Sequence, residues 1–332
     1  MGLFDRLFAA EKPDAALINE TIDSVVNAVE PKVKLHSRYR QKLEPCVRKS
    51  LDYLRSLARE PLEPVLLSRA AWGSDPRVNA FFATAADVPA CLARSHELRR
   101  FFDHHPAAEA YALLGMKMDE RAVLGMELVG EAVQRDVRQT AVSFSDHKLI
   151  APHAELAEAR VEVGRRILLR LAQLALMRIV ATDEKATELG EHKAYLGARL
   201  RLLRLAEDGM EGIVKDRSKI AADRKAIEKE LKETVDGYIE AKGSLATLDG
   251  YIGHIEDVFS NAAEHITVSR SRMRLSTLGV HMADDATGPA NEFPLVQLSI
   301  GSDLRAAIAV ARCPRAEMPS KEDLIAQAER LL

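Results

Sequence analysis

From His153 to Ile266 the sequence contains no proline, and this stretch constrains the fold more than any other feature. Alternate steps of three and four residues from Met210 pass through Ile213, Ile220, Ile227, Leu231, Tyr238, Leu245, Leu248, Ile252, Ile255 and Phe259. An apolar seam sustained at that period specifies a coiled coil. An earlier seam runs from Val161 through Leu168, Ala175, Leu189 and Leu196 to Leu203. The two fall out of phase across residues 205–212, where Gly209 and Gly212 supply helix-ending positions, so the stretch reads as an antiparallel hairpin turning there. That turn sets Leu203 near Ile213, Leu189 near Ile227, Ala175 near Ala241 and Leu168 near Leu248. It also brings Lys193 to Arg224, a like-charge pair that weakens the tip.

The period is two on either side of the hairpin. In residues 121–152, Leu124, Met126 and Leu128 alternate with their neighbours, and Val142 and Phe144 share a face. We read two paired strands here, with a helix over 122–133 as the competing reading. Residues 269–332 read as three strands, "RMRLSTLGVHM", "FPLVQLSIGS" and "RAAIAVARC", the last two joined at Gly301–Ser302–Asp303. A terminal helix capped by Ser320 follows. Residues 1–120 read as helical, with one helix ending at Pro31, two more broken near Pro45, and short helices over 61–106. The expected fold is α+β and predominantly helical. A helical N-terminal region and a small antiparallel sheet form a head, and a long coiled-coil hairpin (153–268) is inserted between strands.

Composition narrows the chemistry. A net charge of −3 on 332 residues gives no field to gather nucleic acid. Three scattered cysteines, Cys46, Cys91 and Cys313, suit a reducing cytoplasm better than a disulfide framework. No apolar run approaches the roughly 20 residues of a membrane span, and no secretory signal opens the chain. Phosphate-loop, dinucleotide-binding, zinc-protease and nucleophile-elbow motifs are absent from the sequence. The sequence gives no reason to expect a cofactor, a catalytic residue or a metal. The nearest approach to a metal site is a pair of Asp-His segments, Asp103, His104 and His105 with Asp146 and His147.

Residues 32–59 are basic: Lys32, Lys34, Arg38, Arg40, Lys42, Arg48, Lys49, Arg55 and Arg59 stand against Glu44 and Asp52, with Tyr39 and Tyr53 interleaved. Such a helix can hold anionic headgroups or a phosphate backbone. Its other reading is a helix packed through Leu35, Leu43, Val47, Leu51 and Leu54, its cations paired with acids elsewhere. The opening "MGLFDRLF" places Leu3, Phe4, Leu7 and Phe8 on one helical face. A short anchor of this kind needs a second signal to hold a membrane, and the basic stretch is a candidate for it. These eight residues resemble the start of the phage-shock-protein A family, whose members pair an amphipathic N-terminal helix with a coiled-coil hairpin and remodel membranes. The present chain departs from that pattern, since its hairpin begins much later and has strands on both sides.

The reading that joins these features is a non-catalytic cytoplasmic scaffold or adaptor. It acts through coiled-coil self-association or partner docking and is peripheral to the membrane through its N-terminus. Association by the seam would be lost on charging Leu245, Leu248 or Ile252. The alternative is an enzyme or a small-ligand or metal-binding protein with its site in the head.

Overall fold

The computed structural model describes residues 15–58, 63–129, 132–208, 217–283, 289–301 and 304–319, without the side chains of 58, 127–135 and 206–220. Segments 1–14 and 320–332 therefore lie outside, with Leu3, Phe4, Leu7, Phe8 and the expected terminal helix. The fold is mixed α+β and mostly helical. Its described residues divide into two compact units: Asp52–Ile167 with those from Ala262 onward, and Leu168–Asn261 with Ala15–Leu51. Among the described residues no helix is long and apolar enough to cross a membrane.

The first unit is built on a sheet. Its strands are β1 (Val65–Leu66), β2 (Glu109–Val129), β3 (Ala132–His153), β4 (Ile266–Ser276), β5 (Ala290–Ile300) and β6 (Leu304–Pro314). They lie in the order β3-β2-β6-β5-β4, all antiparallel, and the short β1 adds to β6 in parallel. Residues 122–129 are strand, in keeping with the alternation of Leu124 and Met126. The helical reading of residues 1–120 needs correction at two places, because β1 and the first part of β2 fall inside it. The run "EAYALLGM" is short and apolar, and its period alone does not separate strand from helix.

Four helices cover one face of the sheet: α3 (Arg69–Trp72), α4 (Pro76–Phe81), α5 (Asp87–Arg94) and α6 (His96–His104). Phe82, Leu92, Leu98, Leu114 and Met116 form the centre of this core with Phe293 and Leu295. Side-chain caps from Ser68, Asp75 and Ser95 begin α3, α4 and α6. Strand β5 pairs with β6 only from Val296 to Ile300, while β1 takes the side of β6 at Ala311 and Arg312. Pro294 sits in the stretch of β5 that β6 leaves unpaired, where a missing N–H is tolerated.

The second unit is helical. It contains α1 (Ala15–Val29), a 3-10 turn (Pro31–Leu35), the first part of α2 (Tyr39–Ala58), most of α7 (Leu156–Asp208), α8 (Arg217–Ser244) and α9 (Leu248–Ser260). A one-turn helix, α10 (Ala262–His265), leads back to β4. The face of α1 read from its period is buried, from Ile18 and Ile22 to Val29. Pro45 does not break α2. Its ring is exposed, and the buried Leu43, Cys46, Val47 and Leu51 hold the helix through the roughly 3 kcal/mol that an interior proline costs. Leu35 lies on no packed face and is 79% exposed.

Helices α7 and α8 form the antiparallel hairpin, in a register different from the expected one. Ile227 packs on Leu196 and Leu200, Leu189 lies beside Gly237, and Lys193 sits 4.3 Å from the centre of the Tyr238 ring. Partners of α7 are displaced along α8 by about two to four helical turns. Helix α7 stays helical through Leu205–Asp208, where the turn was expected to begin, and residues 209–216 lie outside the described part.

The expected continuous second arm is interrupted as well. Helix α8 stops at Ser244, and the Thr247 side chain caps a new helix by accepting from Gly250 N–H. The Ser244 carbonyl lies where a side chain on Gly250 would stand, with its oxygen 1.5 Å from the Cβ position. Gly250→Ala is therefore expected to force α8 and α9 apart and to destabilise the protein by about 1–3 kcal/mol. Urea unfolding measures this, and an unchanged midpoint would show that the junction yields freely.

Candidate functional site

The two Asp-His segments do not assemble. Among the described residues no cluster of His, Cys, Asp and Glu could hold a metal ion. His104 Nδ1 meets the Arg100 carbonyl at 2.7 Å, and His105 stacks on Phe101. Asp146 pairs with Lys148 and has a positive φ of 50°, because β3 bulges there against β2. His147 points into the sheet unit, with Nε2 2.7 Å from the Phe81 carbonyl and its ring 4.5 Å from that of Phe82.

A second bulge in β3 is tied down by charge. Ala151 is buried with a φ of 57°, a conformation costing on the order of 1–3 kcal/mol outside glycine. Its N–H donates to Glu97 Oε2 at 2.9 Å, and the same carboxylate takes two bonds from Arg166, at 2.7 and 3.0 Å. Glu162 joins Arg166 to Arg165. Burial raises the Glu97 carboxyl, but the bonds from Arg166 and Ala151 outweigh it and hold the group below its ordinary range.

Part of the basic stretch is paired within its own protein. Arg40 makes a two-point contact with Asp23, whose Oδ1 also accepts from Tyr39 at 2.6 Å. Lys42 pairs with Asp249, and Arg48 with Glu44. The Tyr53 hydroxyl donates to the Ile266 carbonyl. Lys32, Lys34, Arg38 and Lys49 are exposed. Of the seam residues, Ile227, Ile252, Ile255 and Phe259 are buried, and Leu231, Tyr238, Leu245 and Leu248 are partly buried. Ile213 and the side chain of Ile220 fall outside the described residues.

Two features escaped the sequence reading. The first is an outer stripe on α7, on the side away from its seam. Met177, Val180, Tyr195, Leu202 and Leu205 lie along it and are 46–69% exposed. Glu184, Glu188, Glu191 and Arg199 lie on the same side and are exposed too. At 100° per residue these positions fall in one band.

The second is a recess on the other face of the sheet. There Val268 of β4, Val296 and Leu298 of β5 and Val310 of β6 face Leu54 and Leu57 of α2 and Leu156–Ile167 of α7. Together they bound a cavity of about 140 Å³. Beside it, where β5 leaves β6, opens a cleft of about 680 Å³ reaching Glu63, Asp75, Arg77 and Glu292. Paired apolar residues such as Leu295–Val296 signalled a strand covered on both faces, although the sequence did not show what would cover the second.

Burial lowers the tendency of His147 to take a proton, so it is held below its ordinary 6.5. The unfolded chain binds that proton first, and stability falls as the pH drops through about 6.5. Urea unfolding at pH 7.5 and 5.5 should show this loss in the wild type and a smaller one in His147→Gln; equal losses would place its cause elsewhere.

Comparison of the chain with family models, with curated proteins and with solved structures yields no significant match.

Proposed function

We propose that this protein is a non-catalytic interaction protein that self-associates through the outer stripe of α7. The supporting observation is that the apolar ends of the stripe, Val180 with Leu202 and Met177 with Leu205, are matched about Glu191. Thr187 and Tyr195, Glu184 and Ala198, Val180 and Leu202, and Met177 and Leu205 stand equal distances on either side of it. An antiparallel contact between two copies about a two-fold axis at Glu191 sets each residue against its counterpart, as an isologous interface requires. Val180 then meets Leu202, Met177 meets Leu205, and the carboxylates of Glu184 and Glu188 fall near Arg199 of the second copy. Like charges approach near the axis, Glu191 facing itself and lying close to Glu188 of the second copy.

The seam is not available for this role, because Ile227 and Ile252 are buried inside their own chain. Charging Ile252 would disrupt the fold and would not report on association. The reading includes a reducing compartment, in keeping with three free cysteines. It extends to a membrane surface through Leu3, Phe4, Leu7 and Phe8, an extension tested by flotation with anionic vesicles.

Sedimentation equilibrium is expected to show a dimer. Leu202→Glu should weaken it at least tenfold, about 1.4 kcal/mol. Glu191→Gln should tighten it, and Arg199→Glu should weaken it and be restored by adding Glu184→Arg. A wild-type protein that stays monomeric at roughly 100 μM would overturn the proposal, micromolar affinity being what a dimer of about 8 kcal/mol requires.

A further inference from the structure

The 3-10 turn Pro31–Leu35 in the helical unit holds an aliphatic side chain out among cations. At three residues per turn, side chains three apart share a side. Val33 and His36 take the inward side: Val33 is fully buried, and His36 is half-buried with Nε2 3.1 Å from Asp249 of α9. Lys32 and Leu35 share an outward side, and both are exposed. The turn is fixed at both ends. The Glu30 carboxylate accepts from the Lys32 N–H at 3.1 Å, and the His36 N–H donates to the Val33 carbonyl at 3.0 Å. Leu35 is thus presented at 79% exposure by a built turn. Lys34 and Arg38 flank it in the chain and are exposed as well. Among the described residues the side chains of Lys32, Lys34 and Arg38 make no ion pair. The acids within range of Lys34 and Arg38 already hold other partners: Asp23 has Tyr39 and Arg40, and Asp249 has His36 and Lys42.

We infer that this turn is a membrane-contact element: Leu35 enters the interfacial layer of an anionic bilayer, and Lys32, Lys34 and Arg38 lie on its headgroups. Charge complementarity selects an anionic surface, since each cation near such a surface adds an attraction that salt screens. The aliphatic tip decides which anionic surface it is. A nucleic-acid backbone offers phosphate without hydrocarbon and leaves Leu35 in water. A bilayer sets hydrocarbon directly beneath its charge, so the same approach takes apolar surface out of water. A short apolar anchor holds a membrane only with a second signal such as a basic patch beside it, and here one turn carries both. The inference rests on the membrane part of the reading above, but not on residues 3–8 or on the α7 contact.

Flotation of the full chain on mixed phosphatidylglycerol–phosphatidylcholine vesicles, titrated with lipid, tests the assignment. The wild type is expected to float, and Leu35→Ser should weaken its partitioning at least threefold. Leu35→Phe should keep it at wild-type strength or above. Lys32→Gln with Lys34→Gln and Arg38→Gln should weaken it at least tenfold. The same factors are expected in a Phe4→Ser/Phe8→Ser background, which separates this turn from the opening residues. In that background roughly 1 M NaCl, where the screening length is about 3 Å, should release the protein. The substituted positions in the turn are exposed, so the variants keep their packed side intact. Leu35→Trp reads insertion directly: its emission should shift to shorter wavelength on the vesicles, with the wild type, whose single tryptophan is Trp72, as baseline. A wild type that does not float overturns the proposal, as does a Leu35→Ser that floats equally or a Leu35→Trp whose emission does not move. Flotation lost only with Phe4 and Phe8 assigns the contact to the opening residues and overturns this one. Binding to duplex DNA that needs the three cations and ignores Leu35→Ser also overturns it. Sedimentation equilibrium reads dimerisation separately in each variant, so failure here and failure of the α7 contact are distinguishable.

Discussion

A sheet whose central strands are apolar on both faces has to be covered twice, and the sheet unit is organised around that requirement. In β5 and β6, neighbouring residues such as Leu295 and Val296, or Ala309 and Val310, are buried together although they point to opposite sides. The first cover comes from four short helices, α3 to α6, each begun and ended within a few residues of the next. The second comes from segments of α2 and α7 that belong to much longer helices. The first cover packs densely around Phe82 and Leu114. The second presents Ala159 and Gly164, and its fit to the sheet leaves the cavity. Close packing is the norm in protein interiors, so a gap walled by aliphatic carbon and edged with guanidinium groups stands out from the rest of the unit.

Charge does structural work where the strands are irregular. Three irregularities in β3, at Asp136, Asp146 and Ala151, turn residues other than glycine into the left-handed region. At Ala151 the cost is met by the carboxylate of Glu97, itself fixed by Arg166 and, through it, by Glu162 and Arg165. The network is only partly exposed, so screening reduces its strength less than that of surface pairs. A similar economy appears in the helical unit, where Asp23 collects Tyr39 and Arg40, and Asp249 collects His36 and Lys42. The pairing of Arg40 and Lys42 was not legible in the basic stretch because those acids lie far from it along the chain. Linear spacing carries no trace of such pairings.

Periodicity carried most of the fold. The face of α1, the last two strands and the two arms of the hairpin follow from spacing alone, because burial on one side of a regular element imprints its period on the sequence; the strand expected at 272–282 instead spans Ile266–Ser276 and ends where the chain turns at 277–279. What periodicity could not supply was the register between elements. The hairpin seam repeats every three or four residues, so sliding one arm by about three turns leaves an equally apolar interface, and spacing alone does not choose between such registers. Nor did period reveal the breaks. The seam passes smoothly through Leu245 and Leu248, and the interruption depends on Thr247 as a cap and on Gly250 admitting a carbonyl. The α7 stripe escaped because its apolar members are interleaved with glutamates and become a pattern only once the inward side of the helix is known. The recess was the least legible feature, since the residues that line it, from Leu54 to Val310, come from distant parts of the sequence.

The three cysteines have a consequence of a different kind. Cys46 is buried in the helical unit, and Cys91 and Cys313 are buried in the core of the sheet unit. Burial pushes the thiols of Cys46 and Cys91 up to about 12 and that of Cys313 higher still, so none presents a thiolate at neutral pH while its surroundings are closed. Alkylation must then wait for local or global opening. With no residue added or removed, the natural protein carries a separate internal clock in each unit, and the order in which its thiols react records which unit opens first.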